Sequence, residues 1–71
     1  MKLLYFTASW CQPCKTYGPI MDNVAQSGIP VQKIDVDKSL GEEKKYGIQN
    51  VPTVIKVDSQ NNVINTLIGV N

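Results

Sequence analysis

The only two cysteines of the 71-residue chain, Cys11 and Cys14, are separated by Gln12 and Pro13 and preceded by Trp10. A disulfide restrains the unfolded chain more as its loop lengthens, so a bridge closing so short a loop makes a poor structural clamp. A small secreted scaffold carries about four to eight cysteines spread along its length to staple distant loops. The pair is better suited to redox chemistry, in which one thiolate attacks a disulfide and the neighbouring thiol resolves the mixed disulfide that forms. Two other readings compete. A C-x-x-C pair can supply half of a structural zinc site, which needs four ligands, yet the chain has no His and no third Cys. Two ordinary core cysteines are the remaining alternative, and the corner beside Trp10 and Pro13 argues against it.

Such a pair works only if the chain around it holds it in place. Lys2 to Thr7 carries the apolar run Leu3-Leu4-Tyr5-Phe6, a pattern suited to a strand buried on both faces and central in a sheet. After the cysteines, Tyr17, Ile20, Met21, Val24 and Ala25 recur at helical spacing, with Gly28 as a stop and Pro19 predicting a kink. Cys11 therefore falls at about the helix N-cap, where unpaired N–H groups and the helix dipole favour an anion. That assigns Cys11 as the more exposed nucleophile and Cys14, one turn deeper and less exposed, as the resolving thiol. Pro13 in the first turn costs no needed hydrogen bond and stiffens the loop.

Val31 to Asp37 alternates, with Ile34 and Val36 on one side and Lys33 and Asp35 on the other, and reads as a second strand. Ser39-Leu40-Gly41-Glu42 matches a capping box for a short helix ending near Tyr46 and Gly47. Thr53 to Val57 and Val63 to Ile68 read as a hairpin around Asp58-Ser59-Gln60-Asn61-Asn62, with Val51-Pro52 leading in. The order is βαβαββ, one α/β domain over residues 1–71, without repeats or linkers. A helical crossover makes the first two strands parallel, and the same is expected of the second and third if they share a sheet. Sites in such sheets gather at the carboxyl ends of strands, where Ala8 to Cys14 lie.

Composition narrows the function classes further. Hydrophobic residues make up 42% and charged residues 18%, which suits a folded globular chain and not a disordered one. A net charge of +1 supplies no basic stripe for nucleic acid and no polybasic run for a membrane surface. The apolar run after Met1-Lys2 is too short for a secretory leader, and no stretch approaches the ~20 apolar residues of a membrane span. A cytoplasmic address is the expectation.

From about Leu3 to Gly69 the sequence resembles the thioredoxin family. Ala8-Ser9-Trp10-Cys11-Gln12-Pro13-Cys14-Lys15 looks like the family's active-site motif, Pro19 matches its helix-kinking proline, and Tyr46-Gly47-Ile48 with Val51-Pro52-Thr53 resembles the segment that ends in its cis-proline. The resemblance implies a thioredoxin-like fold whose four-stranded mixed sheet has helices on both faces. The family's first β-α unit and terminal helix have no counterpart in the chain. It implies that Val51 and Pro52 face the cysteines and that the Val51 backbone pairs with an extended substrate; a plain strand-entry proline is the alternative for Pro52. Trp10, Gln12 and Pro13 belong to the same substrate-facing surface, although core packing is a second possibility for Trp10.

Tyr5 stands where thioredoxins keep a buried Asp beneath the second cysteine, which removes the usual proton acceptor for Cys14. Gln12 replaces the usual Gly, and residues between the cysteines tune reduction potential. Lys33 matches the family's buried lysine, so it is either a cation favouring thiolate or an exposed strand lysine. The function implied is reduction of protein disulfides without a cofactor or metal. A thioredoxin-reductase-like donor would recharge the pair, and ribonucleotide reductase is among the partners the family implies. A glutaredoxin-like, glutathione-dependent carrier is one alternative, disfavoured because Thr53 follows Pro52 instead of preceding the cis-proline. A binding subunit with incidental redox chemistry is the other.

Overall fold

A computed structural model describes residues 1–38, 41–48 and 50–68. Its elements follow the order β1 (Lys2–Thr7), α1 (Gln12–Gln26), β2 (Val31–Asp35), α2 (Glu42–Lys45), β3 (Thr53–Val57) and β4 (Val63–Ile68). The strands form one mixed sheet in the order β2-β1-β3-β4. The apolar run of β1 is thus paired on both sides, and Leu3, Leu4, Tyr5 and Phe6 are all buried.

Alternation along β1 divides the core between two faces. Leu4 and Phe6 pack with Ile34, Ile55 and Val57, and the half-buried Tyr46 and Ile48 beside α2 close over them. Leu3 and Tyr5 point the other way and pack with Val54 and Met21 of α1, flanked by Tyr17 and Val24. One helix therefore covers each face. Cys14, Tyr17, Met21 and Val24 form the side of α1 that meets the sheet, while Ile20 and Ala25, expected on the packed stripe, are exposed because they lie at the two margins of the apolar arc.

Strand β1 is parallel to β2, with Tyr5 opposite Lys33 and Thr7 opposite Asp35. It is antiparallel to β3, with Tyr5 opposite Val54 and Phe6 opposite Thr53. The expected parallel relation of the second and third strands is therefore wrong. Thr53, the first residue of β3, pairs with Phe6, which on its other side pairs with Ile34 near the end of β2. A parallel strand needs a crossover to the far end of the sheet; residues 36–52 return at the end they left, so β3 runs the opposite way.

Helix ends follow local chemistry. Gly28 (φ 101°) follows the Ser27 C-cap of α1, in the left-handed region that glycine adopts at low cost. Helix α1 is continuous through Pro19. Helix α2 begins after Gly41, with Glu42 as its first residue, two positions later than a Ser39 cap would place it; Ser39 and Leu40 lie outside the described residues. Its end matches expectation: the Gly47 N–H donates to the Lys44 carbonyl and the Ile48 N–H to the Glu43 carbonyl, a Schellman pair around a glycine at φ 69°. Strand β2 stops at Asp35, two residues early, because the Asp35 carboxylate accepts the Asp37 N–H at 2.9 Å and turns the chain.

Candidate active site

The pair sits where β1 hands over to α1, at the carboxyl end of the central strand. A turn closed by the Cys11 N–H and the Ala8 carbonyl (3.2 Å) brings the chain round. Cys11 is the N-cap residue, with extended dihedrals of φ −88° and ψ 111°. Its sulfur does the work that a Ser or Asp oxygen does at other helix starts, accepting the Cys14 N–H at 3.2 Å. Gln12 and Pro13 occupy the first two helical positions, and no acidic residue stands in the first turn. Nothing there offsets the positive end of the helix dipole, so negative charge on Cys11 is favoured.

Cys11 and Cys14 are joined as a disulfide with a Cα–Cα separation of 5.3 Å, inside the usual range for such bridges. Both are 4% exposed. The expected difference in exposure is absent, because Ala8 packs against both residues and Val36 and Val51 close over the cluster. What separates the two is position: Cys11 caps the helix and Cys14 lies within its first turn.

Opposite the pair, the Val51–Pro52 peptide is cis. Pro52 is buried and Val51 half-buried, and the Val51 carbonyl oxygen lies 3.5 Å from the Cys11 sulfur. The Thr53 hydroxyl donates to the Asn50 carbonyl at 2.6 Å and braces this loop. Trp10 is 66% exposed, and Gln12 and Pro13 are exposed beside it. Val36 and Val51, distant in sequence, thus meet Cys11 and Cys14 at one end of the sheet.

Two further positions lie behind the cysteines. Tyr5 is buried under α1, and its hydroxyl donates to the Cys14 carbonyl at 3.1 Å. Lys33 is exposed. With Thr7, Cys14, Asp22 and Asp35 it lines an open cavity of about 460 Å³. Asp22 and Asp35 were not singled out from the sequence. The alternation that put Lys33 and Asp35 on one side of their strand was the signal available for Asp35. Among the described residues, no three metal-ligating side chains gather, and no helix is long and apolar enough to cross a membrane.

A fold of this topology with a C-x-x-C pair at the start of its first helix defines a thiol–disulfide exchange scaffold. The family model for thioredoxin matches residues 1–71, and the chain belongs to the thioredoxin family. It is 35% identical over 69 residues to thioredoxin H4 of Arabidopsis thaliana, covering 93% of this chain and 57% of that one. It is 34% identical over 67 residues to the thioredoxin of Bacillus subtilis, covering 90% and 64%. Thioredoxin 1 of Thermosipho africanus superposes with a TM-score of 0.85 at 29% identity, over 96% of this chain and 76% of that structure. The chain spans between about half and two thirds of the length of these curated relatives.

Proposed function

We propose that residues 1–71 act as one domain that reduces protein disulfides by dithiol exchange, with Cys11 as nucleophile and Cys14 as resolving thiol. The observation that carries this reading is the placement of a bonded Cys11–Cys14 pair at the N-terminus of α1, facing Val51. In the reduced protein the Cys11 thiolate attacks one sulfur of a substrate disulfide, forming a mixed disulfide and expelling the other substrate sulfur as a thiolate. The Cys14 thiolate then attacks the Cys11 sulfur, releasing the second substrate thiol and closing Cys11–Cys14. Two electrons pass to the substrate, and the expelled thiolates take up protons.

Trp10, Gln12 and Pro13 form the exposed rim that a substrate meets, and the Val51 backbone at Pro52 is the edge an extended substrate segment lies along. Lys33 and Tyr5 support the pair from behind. A thioredoxin-reductase-like donor returns the electrons, no cofactor is needed beyond the cysteines, and ribonucleotide reductase is a substrate that the family relationship suggests. The cysteine usage, with none spent on stapling distant loops, fits a reducing, cytoplasmic setting. The test is turnover of a model disulfide protein by the reduced chain under a small-molecule dithiol. Catalysis above the dithiol background, abolished in Cys11→Ser, is expected; equal rates for both proteins would refute the reading.

A further inference from the structure

Cys14 is held by its backbone at both ends. Its N–H donates to the Cys11 sulfur at 3.2 Å, and its carbonyl accepts the Tyr5 hydroxyl at 3.1 Å. The second contact spans nine residues and joins the first turn of α1 to the middle of the central strand. Tyr5 is itself immobile: it is 1% exposed, packed among Leu3, Met21 and Val54, and paired across the sheet with Lys33 on one side and Val54 on the other.

A carbonyl oxygen needs a donor, which a phenol is and a carboxylate is not. Tyr5 has one hydrogen to give and gives it to the backbone, so its action on the sulfur is indirect. Fixing the Cys14 peptide fixes where its side chain starts and keeps Sγ within reach of Cys11 once the bond between them is broken. Ring closure then requires less ordering of the dithiol, and the pair behaves as if at higher effective concentration.

We infer that Tyr5 is a positioning residue that presets the Cys11–Cys14 geometry through the Cys14 carbonyl, favouring the disulfide and speeding resolution by Cys14 without touching either sulfur. The inference rests on the dithiol-exchange reading and deepens it.

The test is the equilibrium constant of the Cys11–Cys14 disulfide against glutathione in wild type, Tyr5→Phe and Val54→Ala, at a temperature where melts show each protein folded. Tyr5→Phe keeps the ring and removes only the donor; because the bond stands in both redox forms, the constant reads only the ordering it imposes on the dithiol, a shift towards the dithiol of at most about fivefold, the worth of the whole bond. That upper bound is about 20 mV more oxidising for a two-electron couple. Resolution of a preformed mixed disulfide on Cys11 should slow by a similar factor, while the initial attack keeps its rate. Val54→Ala loosens the same core without removing the hydroxyl, so it should lower the melting temperature and leave the constant in place.

An unchanged constant in Tyr5→Phe, or an equal change in Val54→Ala, overturns the inference. A check on the wild type needs no variant. The Tyr5 hydroxyl proton should exchange slowly and be visible by NMR in both redox states, and its absence from the dithiol form overturns the inference as well. If the constant responds to Tyr5→Phe but the wild type does not catalyse disulfide reduction, the proposed function fails and the positioning role stands.

Discussion

The carbonyl oxygen of Val51 lies 3.5 Å from the sulfur of Cys11, across 40 residues of sequence. That distance ties the loop before β3 to the start of α1. It also leaves the sulfur between two backbone groups of opposite polarity, since the Cys14 N–H points at it from the helix and the Val51 carbonyl faces it from the loop. A thiol at Cys11 can donate to the carbonyl, whereas a thiolate is held by the helix amide alone.

In the reduced protein the two cysteines should react in a fixed order. Both cysteines are equally covered in the disulfide form, and what distinguishes Cys11 is charge stabilisation of its thiolate at the helix start. Limited alkylation with iodoacetamide followed by mass spectrometry should label Cys11 well before Cys14. Preferential labelling of Cys14 would reverse the assignment of nucleophile and resolving thiol.

Cys14→Ser should accumulate a mixed disulfide between Cys11 and a substrate protein, because the attacking thiol remains and the resolving one is gone. Cys11→Ser should accumulate none. Non-reducing electrophoresis distinguishes these outcomes, and equal trapping by both variants would end the ordered two-step scheme.

Replacing Tyr5 by Asp should be severe. The substitution removes a buried ring, places a carboxyl group among Leu3, Met21 and Val54, and sets an acceptor against the Cys14 carbonyl that now receives a donor. A loss of roughly 2–4 kcal/mol is expected, which lowers the melting temperature by about 10–25 °C in a domain of this size. Burial raises the carboxyl pKa, so any faster resolution from a carboxylate accepting the Cys14 proton would emerge only above neutral pH and only in the folded fraction. Thermal melts and stopped-flow reduction of a model disulfide measure both; an unchanged melt together with an unchanged rate would contradict the placement of Tyr5.

The β3–β4 turn supplies a pH-dependent test. The Asp58 carboxylate accepts the N–H groups of Gln60 at 2.8 Å and Asn62 at 2.9 Å. Those bonds, that from Asn62 first, lower its pKa below the ordinary 3.8. A carboxylate with a depressed folded pKa stabilises the fold above its unfolded value and loses that contribution as pH falls through the folded one. Asp58→Ala should therefore melt below wild type at neutral pH. The two melting temperatures should converge as pH drops below 3.8, and a gap that stays constant into acid would show that the carboxylate is not the cause.

Much of this architecture could be read from residue order. The apolar run Leu3 to Phe6 is unambiguous because successive residues of a strand point to opposite faces, so four apolar residues in a row require both faces to be covered. The hairpin turn is equally explicit: Asn61 takes a left-handed φ of 65°, which Asn accepts more readily than other non-glycine residues. Cys11 at the helix cap followed from a strand meeting an amphipathic run. The direction of β3 did not, since residues 36–52 are long enough to reach either end of the sheet and only the pairing of Thr53 with Phe6 settles which end they reach. The equal burial of the cysteines was hidden because Val36 and Val51 reach them only through tertiary packing. The Tyr5 hydrogen bond was hidden for the same reason: the resemblance to thioredoxins placed Tyr5 near Cys14, but whether its hydroxyl meets sulfur or backbone depends on the tilt of α1.

The two outer strands of the sheet resist unwanted pairing by different means. Strand β2 presents Gln32 and Lys33 to solvent, and a lysine on an edge repels an incoming strand of like charge. Strand β4 has no charged residue and exposes Val63, Ile64 and Leu67; irregular register against β3 at Val54/Ile55 and at Lys56/Val57 twists that edge away from a flat template. Electrostatic repulsion is screened by salt, whereas backbone shape is not. Raising ionic strength therefore weakens the guard at β2, while the irregular backbone of the β4 edge keeps its shape at any salt concentration.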